Sequence, residues 1–132
     1  MNDLPDLLAR WTEIAPDECE IANANDRPPT YAVLTDGCLF GKVYTDGDSN
    51  SYAHVLGAVV YHAGERGLCL GMETGPFDSG WSADARAWPP ERHASRALPY
   101  VSEPVGAGDG DSALRALATA TLRAYLSALT TP

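Results

Sequence analysis

Leu4, Leu7, Leu8, Trp11 and Ile14 recur at three- and four-residue spacing, the pattern of one apolar helix face. Asp3 is suited to cap such a helix, Pro5 to its first turn and Asp6 to the positive end of its dipole, and Pro16 stops it. The pattern then changes period. Thr30–Leu34 and Cys38–Tyr44 are β-rich runs joined by Asp36-Gly37, a dipeptide that accepts positive φ at both turn positions, so they read as a hairpin. Residues 51–64 place Tyr52, Val55, Leu56, Val59, Val60 and Ala63 on one stripe. The spacing predicts a helix, with a β-hairpin of 55–62 and 68–73 as the rival because of the β-branched residues and Gly57. Leu68–Glu73 reads as a strand and residues 75–80 as a turn. Trp81, Ala83, Ala85 and Ala87 alternate with polar residues, as in a half-exposed strand. Residues 89–110 hold four prolines and three glycines and read as a long irregular segment, with a short edge strand at 97–102. The last helix is the clearest: Asp111 caps it, and Leu114, Leu117, Ala118, Thr121, Leu122, Tyr125, Leu126 and Leu129 form its apolar face.

These elements predict one small α+β domain spanning 1–132. A mainly antiparallel sheet packs with about three helices, near 4–14, 51–64 and 111–129. With 132 residues, 45% of them hydrophobic, the chain has enough apolar side chain for a real core. It carries no apolar run of membrane-spanning length, and Asp3 and Asp6 oppose a signal peptide, so a cytoplasmic location is expected. Cys19, Cys38 and Cys69 are odd in number and widely spaced. They read as free thiols, two of them packed in strands, rather than a disulfide framework.

Charge narrows the choice of partner. Formal net charge is −9, and residues 1–50 carry ten acids against Arg10, Arg27 and Lys42, a net of −7. Phosphate contact needs clustered Lys and Arg, so direct binding of nucleic acid is not expected, nor adhesion to anionic lipid. A basic protein partner fits, drawn in by long-range attraction, although the same charge also serves solubility. The acids expected to make that contact are Asp17, Glu18, Glu20, Asp26, Asp36, Asp46 and Asp48. Trp88, beside Pro89-Pro90, is the candidate aromatic anchor.

Catalytic and metal-binding patterns are sparse. Asp46-x-Asp48-x-Asn50 opens like a calcium loop, but Ser51 stands where the loop needs glycine and Gly57 where it needs glutamate. Cys38 with His54 or His62 could form a thiolate–imidazole pair, with Asp36 or Asp46 orienting the ring. Neighbouring acids would disfavour that thiolate. His54 and His62 on one helix are about 12 Å apart by rise, too far to share a metal. Glu73, Asp78 and Asp84 could supply a carboxylate pair. Gly106-x-Gly108-x-Gly110 precedes a helix but is bordered by Asp109 and Asp111, which repel phosphate; it reads as a flexible lead-in. No metal or other cofactor is expected.

Ala58-Val59-Val60 running into Glu65-Arg66-Gly67, the strand Leu68–Glu73, Gly80-Trp81-x-Ala83 and the alanine-rich helix Ala113–Leu129 resemble, in that order, the phage ABA-sandwich proteins. The resemblance covers Tyr52 to Leu129. The Asp36-Gly37 hairpin and the acidic first third depart from it. It implies a layered α+β fold and a bacteriophage origin, and brings no activity, cofactor or catalytic residue with it. The expected function is that of a non-enzymatic acidic accessory protein that binds, and can inhibit, a basic host or defence protein. The alternatives are a structural or oligomeric phage module and a small cysteine-dependent enzyme.

Overall fold

The computed structural model describes residues 4–26, 29–44, 49–77, 80–88 and 105–130. Along the chain run α1 (Leu4–Ile14), β1 (Cys19–Asn23), β2 (Thr30–Thr35), β3 (Cys38–Val43), α2 (Ser49–Glu65), β4 (Cys69–Phe77), β5 (Gly80–Trp88), β6 (Val105–Gly110) and α3 (Ala113–Thr130). The α+β class and the three helices are as the periodicity predicts, and residues 49–65 are helix rather than hairpin. The antiparallel strands are arranged as two three-stranded sheets, ordered β1-β2-β3 and β4-β5-β6. Among the described residues no helix is long and apolar enough to cross a membrane.

Helix α2 lies against β2 and β3, α3 lies against all three strands of the second sheet, and the two helices pack on each other. The main core therefore forms between the first sheet and the helices. Leu4, Leu8 and Trp11 of α1, Val33 and Val43 of the sheet, Val55 and Val59 of α2, and Leu122, Tyr125 and Leu126 of α3 meet there. A second, thinner layer joins α3 to the other sheet. It is built almost wholly of small residues: Ala83, Ala85 and Ala87 of β5 meet Ala116, Ala120 and Ala124 of α3.

Two parts of the chain differ from the sequence reading. The glycine run at 106–110 is strand β6, not an irregular lead-in, and of the turn expected at 75–80, residues 75–77 belong to β4 and Gly80 to β5, while 78 and 79 lie outside the described residues. The cap of α3 also shifts by one residue. Ser112 Oγ accepts the Arg115 N–H at 3.2 Å, while Asp111 pairs with Arg115 at 3.3 Å. The edge strand expected at 97–102 lies outside the described residues.

The β2–β3 hairpin has the turn its sequence demands, with φ of 53° at Asp36 and 76° at Gly37. Its register slips between Val33 and Leu34: Val33 stands opposite Gly41, but Leu34 stands opposite Leu39, leaving Phe40 as the extra residue of a bulge. Phe40 turns onto α2, where a Cβ added to Gly57 would lie 2.8 Å from its ring. The ring meets His54 edge-on at 6.1 Å.

Candidate functional site

A buried carboxylate underlies the acidic end of the molecule. After α1 the chain turns sharply, with Glu18 N–H donating to the Ala15 carbonyl at 2.9 Å. This swings the Glu18 side chain back beneath the helix, where the residue is 3% exposed. Oε1 accepts from Trp11 Nε1 at 2.9 Å and from the Tyr125 hydroxyl at 2.7 Å. Oε2 accepts from Arg66 Nη2 at 2.8 Å and Nε at 3.2 Å, and the same Nε donates to the Tyr125 oxygen at 2.9 Å. One carboxylate thus ties α1, the end of α2 and α3 together.

His62 completes the cluster. Its Nε2 lies 2.5 Å from the Leu34 carbonyl, which can only accept, so Nε2 carries the proton. Its Nδ1 faces Glu18 Oε2 at 3.6 Å. Burial pushes the Glu18 carboxyl up, but the bonds from Trp11, Tyr125 and Arg66, with His62 nearby, outweigh burial and hold it below its ordinary value. Burial and then the carboxylate push the Tyr125 phenol far up. With two donors on each oxygen, Glu18 has no acceptor site left for a substrate proton; the arrangement is a clamp.

The contact set expected from the sequence divides in space. Glu18 leaves it, because its side chain is inside and fully bonded. Asp17, Glu20, Asp26 and Asp36 are exposed. Leu34 N–H donates to the Glu18 carbonyl at 2.8 Å, which brings the turn that carries Asp17 to the end of β2 that leads into the Asp36 turn. Glu65 joins them: the Tyr61 hydroxyl donates to it at 3.1 Å. Desolvation, then Glu65 and Asp36 together, push the Tyr61 phenol up. Asp26 sits at the far end of β2, roughly 20 Å away at strand rise, and accepts from Thr30 Oγ1. Asp46 and Asp48 lie outside the described residues, as does the side chain of Trp88; its backbone pairs with Cys69 in the second sheet. Sequence reasoning missed Glu65 because the helix was expected to close at Gly64.

The other candidates are not assembled. His54 Nδ1 lies 2.8 Å from the Lys42 carbonyl and His62 is committed to Leu34, so neither contact engages Cys38. Glu73 stands opposite Asp84 on exposed strand positions, and Asp78 lies outside the described residues. Among the described residues no group of three His, Cys, Asp or Glu side chains is placed to hold a metal. The glycines at 106, 108 and 110 lie beneath α3 rather than cradling a phosphate.

The thiols differ sharply in access. Cys19 is fully buried, and burial pushes its thiol up to about 11; Cys38 is exposed. Iodoacetamide at pH 8 is expected to alkylate Cys38 in the native protein and Cys19 only after unfolding, as peptide mass mapping will read. Native labelling of Cys19 at the Cys38 rate would contradict the packing of α1 on β1. Comparison of the chain with protein-family models, with curated proteins and with solved structures returned no match.

Proposed function

We propose that this is a non-enzymatic accessory protein that works by binding a basic protein, and that Asp17, Asp36 and Glu65 form the centre of its contact surface. Glu20, along β1, extends that surface. The observation that carries the reading is the meeting of Asp36 and Glu65, from two separate parts of the chain, at Tyr61, with exposed Asp17 in the turn before β1 whose Glu18 carbonyl bonds Leu34. Carboxylates so arranged raise the encounter rate with a positively charged surface and repel nucleic acid. The order of parts shared with phage ABA-sandwich proteins favours a phage-encoded role in the host cytoplasm. A nucleic-acid-handling host or defence protein, its groove occluded by the acids, is then the natural target.

The test is capture from host lysate at about 50 mM and 500 mM salt, a range that changes screening strongly. Affinity of the captured protein is then measured for Asp17→Asn/Asp36→Asn. The double variant is expected to weaken binding about threefold to thirtyfold and to flatten its salt dependence. Unchanged affinity and slope would sink the electrostatic reading. A mass that rises with concentration in light scattering, with no captured partner, would favour an oligomeric module instead.

A further inference from the structure

We draw no further inference here: the strongest candidate, the uncharged outer face of α2, where Ala53, Val60 and Gly64 are exposed and Phe40 of β3 lies over Gly57, is an unpartnered apolar face, and nothing in the structure shows what covers it.

Discussion

Replacing Glu18 by alanine is expected to lower stability to urea by about 3–5 kcal/mol, the loss typical when one member of a buried charged network is removed. The loss has identifiable parts. Trp11 Nε1 and the Tyr125 hydroxyl would be left buried without their acceptor, and Arg66 would lose both bonds to Oε2. Set against a total of about 5–15 kcal/mol for a domain, this removes a large share of the fold's margin. Glu18→Gln keeps an acceptor for one side of the cluster but turns an amide toward Arg66, so it should fall between wild type and alanine. Arg66→Ala should cost less than Glu18→Ala, since the Arg66 side chain is 42% exposed and water can replace part of what it gives. A Glu18→Ala protein within about 1 kcal/mol of wild type would show that the carboxylate does not clamp the helices.

The same network fixes the direction of the pH dependence. The folded Glu18 carboxyl is held below its ordinary value of 4.5, so the unfolded chain binds its proton first. Its contribution to stability is complete above that value and is lost as the pH falls through the lower, folded value. Urea midpoints measured from pH 7 downward should therefore drop more steeply for wild type than for Glu18→Gln once the pH is below about 4.5. Parallel acid limbs would contradict a depressed Glu18.

The clamp was illegible in the sequence for a definable reason. Glu18 lies between Asp17 and Glu20, and a residue in such a run reads as solvated charge. What buries it are donors 7, 48 and 107 residues away, brought in only when three helices pack. The helices themselves were legible because their apolar stripes repeat over several turns, and the hairpin because Asp36-Gly37 permits the positive φ its turn uses. Strand β1 gave no such signal: Cys19-Glu20-Ile21-Ala22-Asn23 is short, and only its first residue is buried. The bulge at Phe40 was also invisible, since nothing local distinguishes it from regular alternation; Gly57 on α2 makes room for it. Of the expected surface, Asp36 gains a neighbouring acid in Glu65, which reaches it only through α2.

Strand β6 shows the same dependence on distant residues, and with it comes the other large effect. Gly108→Val and Gly106→Val are each expected to destabilise the protein by about 3 kcal/mol or more, at or beyond the usual range for overpacking. A Cβ at Gly106 would overlap the Ala120 carbonyl oxygen and stand 2.6 Å from Ala124 N; at Gly108 it would overlap the Ala116 carbonyl oxygen and lie 2.7 Å from Ala120 N. These neighbours are helix backbone, so no rotamer change relieves the clash; α3 itself must lift from the sheet. Lifting α3 would open the Ala83–Ala85–Ala87 layer beneath Ala116, Ala120 and Ala124 and disturb Leu122, Tyr125 and Leu126 on its other side. Gly75→Ala in β4 is the matched control. An added Cβ there meets nothing within 4 Å and the residue has no positive φ, so the unfolded chain loses freedom at no cost to the fold. It should be neutral or stabilising by up to about 1 kcal/mol. Urea unfolding of the three variants separates a steric role from a general preference against glycine in strands. If Gly108→Val and Gly75→Ala shift stability equally, close helix-on-sheet contact is not what selects glycine at 106 and 108.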